Sequence, residues 1–140
     1  KEGNLPESAK HLRRAIIRKK NYPTAIRNLG LILMELEEWQ EANEVLTQLV
    51  GYVKNDPDAY DAQATTFARL DDFCSAEEAW EKARKLYKKI GDEKEAERIN
   101  VLGRAARINC RRIKKAIKAQ REQEKQTRRF SGRHEHRKKQ

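Results

Sequence analysis

The sequence predicts an all-α fold made of stacked antiparallel helix pairs, followed by a long basic helix and tail. Two stretches repeat each other at an offset of 34 residues, and the match includes nearly every apolar position. No segment alternates apolar and polar residues with the two-residue period of a strand. A 34-residue period is typical of a helix-turn-helix unit that buries its apolar face by stacking on its neighbours. The chain is therefore predicted to be a helical solenoid, and its function is predicted to be binding.

Small and bulky side chains follow the same order in both repeats. The aligned pairs are Pro23 with Pro57, Ile26 with Tyr60, Gly30 with Ala64, Leu33 with Phe67, Leu36 with Leu70, Trp39 with Phe73, Ala42 with Ala76, Leu46 with Trp80 and Leu49 with Ala83. In this pattern the chain resembles the tetratricopeptide repeat (TPR) family, in which small residues mark the closest helix crossings. The resemblance covers about residues 3–108 and implies a TPR-like superhelix.

Incomplete units flank the two full repeats. Ser8, Leu12 and Ala15 fit the second half of an earlier unit, so the chain opens inside a repeat and we expect it to be truncated or processed. A later unit opens at residues 89–92, with a spacing about five residues longer than the strict repeat. We therefore predict a repeat domain over 1–108, incomplete at its N-terminus, and a basic capping helix with an extended tail over 109–140.

Capping residues predict where the helices begin and end. The signals are an N-cap at Asp56 and capping boxes at Ser75 with Glu78 and at Asp92 with Glu95. Gly91, in a left-handed conformation, is expected to end the helix before it. The predicted helices cover residues 5–20, 23–36, 39–54, 57–70, 74–90 and 93–126. The aromatic residues Trp39, Phe73 and Trp80 are in register with core positions of the repeats.

Charge divides the chain into blocks that the net value of +10 conceals. By count, the net charge is +6 over 1–34, −11 over 35–81, +3 over 82–103 and +12 over 104–140. The acidic middle would be repelled by a nucleic-acid backbone, so a nucleic acid is expected to contact only the tail and the basic N-terminal helix.

The basic tail is predicted to bind a polyanion. After Ala119 no apolar face remains, and such a segment is usually disordered until it binds. RNA phosphates and an acidic protein surface both fit, and a solvated capping helix explains its first half equally well. The predicted polyanion-binding residues are Arg111, Arg112, Lys114, Lys115, Lys118, Arg128, Arg129, Arg133, Arg137, Lys138 and Lys139.

The TPR resemblance implies a concave face that holds an extended peptide or a partner helix. The positions it implies for partner binding are Thr24, Arg27, Asn28, Leu31, Glu35, Asp58, Asp61, Thr65, Arg69, Asn100 and Arg104. A solvated concave face explains the same residues. Asp58 and Asp61 stand where one branch of the family needs donors for a terminal carboxylate, which disfavours that ligand.

No group of residues predicts catalysis. The sequence has no glycine-rich phosphate loop and no nucleophile with a base near it, and His134 with His136 supply too few ligands for a closed zinc site. We therefore expect no enzymatic activity, cofactor, metal or small-molecule substrate. Cys74 and Cys110 have no partner nearby in sequence, which favours a reducing, intracellular compartment.

These observations predict a scaffold or adaptor for protein–protein interaction, or an assembly subunit of a larger complex. In this interpretation the repeats bind a protein partner and the tail makes a second, electrostatic contact. The alternative is an RNA-associated subunit of a ribonucleoprotein, with the tail on phosphates. No apolar run in the sequence is long enough to span a membrane.

Overall fold

The computed structural model describes residues 4–19 and 22–139, which form helices and no strand. The helices are α1 (Leu5–Arg18), α2 (Pro23–Glu35), α3 (Trp39–Tyr52), α4 (Pro57–Arg69), α5 (Phe73–Lys89) and α6 (Glu93–Lys139). Each helix packs on the next along the chain, and α2 also contacts α4. The predicted all-α solenoid is confirmed. The predicted end of the first helix at residue 20 is wrong, because α1 ends at Arg18 and the backbone of Lys19 is extended. The predicted domain limits at 1 and 140 lie outside the described residues.

Three turns between helices have the same backbone geometry. Glu37, Asp71 and Gly91 take left-handed φ angles of 58°, 61° and 80°. The amide after each donates to a carbonyl five residues earlier, at 2.9 Å, in the pairs Glu38 to Leu33, Asp72 to Phe67 and Asp92 to Tyr87. Such bonds satisfy carbonyls at the helix end that have no partner inside the helix. Only the turn with glycine was predicted from the sequence, because residues other than glycine adopt this conformation uncommonly.

Five of the six predicted helix starts are confirmed, and so are two of the predicted N-caps. Asp56 accepts hydrogen bonds from the amides of Asp58, at 3.0 Å, and Ala59, at 3.3 Å. Asp92 likewise accepts from the amide of Glu95 at 3.2 Å. The predicted cap at Ser75 is wrong. Asp72 caps α5 instead and accepts from the amide of Ser75 at 3.2 Å, so this helix begins at residue 73 rather than 74.

The core lies between the paired helices, as the repeat pattern predicts. Fully buried Leu33 and Leu46 pack where α2 and α3 cross beside Gly30, and Trp80 is buried in the second pair. Trp39 and Phe73 are only half-buried, since each is the first residue of its helix. Of the three predicted core aromatics, only Trp80 is buried in the structure.

The last helix starts and ends at other positions than predicted. α6 begins 36 residues after α4, so the third unit is two residues longer than the repeat rather than five. The reason is that α5 has 17 residues whereas α3 has 14. α6 also continues to residue 139 instead of ending at 126, so the predicted domain boundary at 108/109 falls inside one helix. Its buried side chains end at Cys110, and every described side chain from 111 to 138 is exposed.

A disulfide joins Cys74 of α5 to Cys110 of α6, with their Cα atoms 4.8 Å apart. The prediction of unpaired cysteines is therefore wrong, and the reducing compartment inferred from it has no support. Packing of α6 along α5 brings together two residues 36 positions apart in sequence. Among the described residues, no helix is both long and apolar enough to cross a membrane.

We expect the backbone amides of α1 to exchange with solvent faster than those of α2 to α5. Ala9 is its only buried residue, and its ion pair from Arg13 to Glu41 of α3 is partly exposed. Helices with few buried apolar contacts open locally at low cost. Hydrogen exchange on the monomer, read helix by helix, measures this. Protection of α1 equal to that of α4 would show that our N-terminal repeat boundary is misplaced.

Candidate functional site

The candidate site is the surface formed by the outward sides of α2, α4 and α6, which we call the concave face. These helices lie side by side, because α2 contacts α4 and Arg98 of α6 reaches Asp61 of α4 at 2.7 Å. The core between the helix pairs lies beneath them. The concave face therefore carries side chains from each repeat in succession.

Asp58 and Asp61 tie the helices together from within the face. Asp61 accepts a hydrogen bond from the indole nitrogen of Trp80, at 2.9 Å, as well as from Arg98. Asp58 accepts one from the hydroxyl of Tyr87. Burial, and after it the hydrogen bond to Asp58, raise the pKa of Tyr87, so that hydroxyl stays protonated and donates. Both predicted site residues thus join α4 to its neighbours.

Arg98 is the cation that balances these carboxylates. Hydrogen bonds to Glu95, at 2.8 Å, and to Asp61 raise the pKa of its guanidinium, in that order of size. Arg98 was not among the predicted site residues, because its contact with Asp61 joins positions 37 residues apart. Arg98, Glu95 and Asp61 hold α6 against α4 at the edge of the face.

Three more predicted site residues make contacts within the chain. Arg27 forms an ion pair with Asp56, the N-cap of α4. The Thr65 hydroxyl donates to the backbone carbonyl of Asp61 at 3.0 Å. Arg69 lies with its guanidinium 5.1 Å from the centre of the Trp39 ring. These side chains fix the shape of the face.

A second group of predicted residues is exposed and makes no hydrogen bond or ion pair with any described residue. They are Thr24, Asn28, Leu31 and Glu35, all on α2. Leu31 is 46% exposed, a high fraction for a leucine in a repeat. These side chains are the part of the predicted site that is available to a partner.

An open groove of about 450 Å³ lies beside Leu31, between α1 and α2. It is lined by Ser8, His11 and Leu12 from α1 and by Asn28, Leu31 and Ile32 from α2. The α1 residues were not among the predicted site residues, because the pattern of the first unit indicates only an incomplete repeat. The groove extends the concave face toward the N-terminus.

The structure places Asn100 away from the concave face. It lines a crevice against α5 with Trp80, Glu81 and Gly103, and the predicted site residue Arg104 lines the same crevice. The 36-residue spacing puts it in register with Ala64, which packs inside the repeat, whereas the predicted longer spacing aligned it with Asp61. The same shift brings Val101 into register with Thr65 and Leu31. Val101 is 58% exposed and was not among the predicted site residues.

The predicted polyanion-binding residues lie along α6 and do not converge on one pocket. All of them from Arg111 to Lys138 are exposed. Lys139 is the last residue of the helix, and its side chain is outside the described part of the chain. Among described residues, no group of three or more His, Cys, Asp or Glu side chains could hold a metal ion.

Solved structures of TPR-type proteins share this fold. PcrH in complex with the chaperone binding region of PopD matches with a TM-score of 0.68 and 19% identity, covering 76% of this chain and 80% of PcrH. The TPR2B domain of yeast Sti1, in a complex with pHsp70, matches at 0.65 and 22%, covering 74% and 83%. The Yersinia enterocolitica translocator chaperone SycD matches at 0.69 and 13%, covering 78% and 76%.

These similarities identify the chain as a protein with the TPR-like helical repeat fold. No protein-family model and no curated protein matches the sequence. The predicted resemblance in fold is confirmed by the structure comparison.

Proposed function

We propose that the protein is a non-catalytic scaffold whose concave face holds a segment of a protein partner within a multi-subunit complex. The basic half of α6 makes a second, electrostatic contact. The observation that carries the proposal is a row of equivalent positions across three helices, Leu31, Thr65 and Val101. Two of the three are large exposed apolar residues. Exposed apolar side chains in a row, rimmed by polar ones, are typical of a protein interaction site.

The polar residues of the concave face are of two kinds: some are held by hydrogen bonds to other helices, and others are exposed. Asp58 and Asp61 are held by hydrogen bonds to other helices, so their positions are fixed before a partner binds. A preorganised site loses less conformational entropy on binding. Exposed Asn28 carries both a donor and an acceptor, which suits the backbone of an extended peptide.

Charge suggests the chemistry of the bound segment. Of the helices that form the concave face, α4 lies in the acidic block, which has two Lys and Arg against thirteen Asp and Glu over residues 35–81, and α2 contributes Glu35 to it. A partner segment with apolar side chains and a net positive charge is complementary to it. Among proteins of this fold, PcrH binds a region of PopD and the Sti1 domain binds pHsp70, which supports a protein ligand here.

We expect Leu31→Glu and Val101→Glu each to weaken peptide binding about tenfold, because each removes an apolar contact at the centre of the row. The probe is a 12-residue peptide selected on the unmodified chain from a display library, with its Kd measured by fluorescence anisotropy. Ile17→Glu is the matched control, since Ile17 is 76% exposed on α1 and lies outside the row. It should change Kd less than twofold. Equal Kd values for all three variants would exclude the concave face as the site.

A further inference from the structure

We propose that the exposed half of α6 binds the phosphate backbone of a nucleic acid through one straight row of basic side chains. This row, which we call the basic seam, consists of Arg111, Lys114, Lys118, Arg121, Lys125 and Arg128. The inference deepens the electrostatic contact of the proposed function by naming its partner, and it uses no residue of the concave face.

The spacing of the seam places its charges on one side of the helix. Successive members are three, four, three, four and three positions apart, which keeps side chains in a row on a helix of 3.6 residues per turn. At a rise of about 1.5 Å per residue, the row is about 25 Å long. All six side chains are exposed. The charges run along a line and form no closed pocket, so they suit a polymer of anions better than a single small anion.

Over residues 116–131, the opposite side of the same helix carries no charge. Its residues are Ala116, Gln120, Gln123, Thr127, Phe130 and Ser131. If the basic residues only kept the helix in solution, they would be expected on all sides. Over 116–131 all five basic residues are on the side of the seam, and those that lie off it, such as Arg112 and Lys138, are outside this stretch. The one-sided stretch indicates a surface that faces a partner.

The seam is almost unneutralised within the chain. Among the described residues, its one ion pair joins Lys125 to Glu122 at 3.6 Å. Both side chains are more than half exposed, so the pair contributes little. Like charges three or four residues apart destabilise a helix. Because every described side chain from 111 to 138 is exposed, counter-charges from a ligand would stabilise this segment. Binding should therefore increase its helicity.

The absence of apolar residues from the seam favours phosphates over an acidic protein. A partner helix would pack on positions spaced by three and four residues, and those positions here are all basic. The apolar stripe of α6 ends at Ile117, with Ile113 and Ile117 on the flank of the seam. Binding to phosphates needs only charge, whereas stable protein interfaces also bury an apolar core.

The test compares two triple variants of the full chain with the same change in charge. The seam variant is Lys114→Gln, Lys118→Gln and Arg121→Gln, and the matched control is Arg112→Gln, Arg137→Gln and Lys138→Gln. Probes are a labelled 20-nucleotide poly(U) strand and a 20-base-pair RNA duplex, with Kd measured by anisotropy at several salt concentrations. The two probes separate single-strand from duplex phosphates as the source of the contact.

We expect the unmodified chain to bind with a log–log salt slope of roughly −4 to −5, at about 0.7–0.9 for each phosphate that the seam contacts. The seam variant should lose about two units of slope and at least about tenfold in affinity, and the control should lose less than about threefold. Circular dichroism should show a gain in helicity when RNA is added to the unmodified chain. Leu31→Glu should leave RNA binding unchanged, so this result is independent of the concave-face test.

Three results would overturn the inference. Equal losses in the two triple variants would mean that net charge alone governs binding. No measurable binding of either RNA at 50 mM salt would exclude a nucleic acid as the partner of the seam. Binding of polyglutamate of equal charge as tightly as RNA would assign the seam to an acidic protein.

Discussion

Replacing Gly30 with leucine is expected to lower the free energy of unfolding by about 3 kcal/mol. A Cβ atom at this position would lie 2.7 Å from Cδ2 and 2.9 Å from Cγ of Leu46, closer than two carbons can approach. Leu46 is fully buried, so it cannot move aside without disturbing the crossing of α2 and α3. Urea denaturation followed by circular dichroism measures the change.

Two controls separate this steric effect from the general effect of replacing a residue. At Gly103 an added Cβ would meet only the Cβ of Trp80, at 3.8 Å, so Gly103→Ala should stabilise the protein by about 0.5–1 kcal/mol. Thr24→Leu, on the exposed side of α2, should change stability little. If Gly30→Leu and Thr24→Leu were equally stable, the repeat alignment would be wrong.

Loss of the disulfide is expected to cost about 4 kcal/mol of unfolding free energy in the double variant Cys74→Ala and Cys110→Ala. The bond closes a loop between residues 36 positions apart and so restricts the unfolded chain. Cys110 is also the last buried residue of α6, so the bond fixes the point where this helix leaves the repeats. Thermal melts with and without dithiothreitol measure the effect.

The reducing agent supplies the control for this prediction. It should lower the Tm of the unmodified protein toward that of the double variant and leave the Tm of the double variant unchanged. Hydrogen exchange should increase around Ala106 on reduction, because the disulfide holds this part of α6 against α5. Two free thiols per native chain in a denaturing thiol assay would show that the cysteines are not paired.

The fold and most of the helix limits could be predicted from the sequence, because they depend on local or periodic signals. The 34-residue offset between Pro23 and Pro57 defines the helix pairs, and Gly30 marks a close crossing. Side chains within a few positions of Asp56 and Asp92 form the caps. Charge segregation is likewise a property of the sequence, and the exposed basic half of α6 was among the predicted sites. Its function remains a proposal.

Only the tertiary structure decided which of the predicted site residues remain available to a partner. Asp58 and Asp61 looked like ligand-binding carboxylates, but they accept hydrogen bonds from Tyr87, Trp80 and Arg98. These partners are 19 to 37 positions away, so no local pattern shows them. No local pattern shows the disulfide or the exposure of Val101 either, because the position of Val101 depends on three extra residues in α5. Local pattern determines which helices form, whereas long-range packing determines which of their side chains stay exposed.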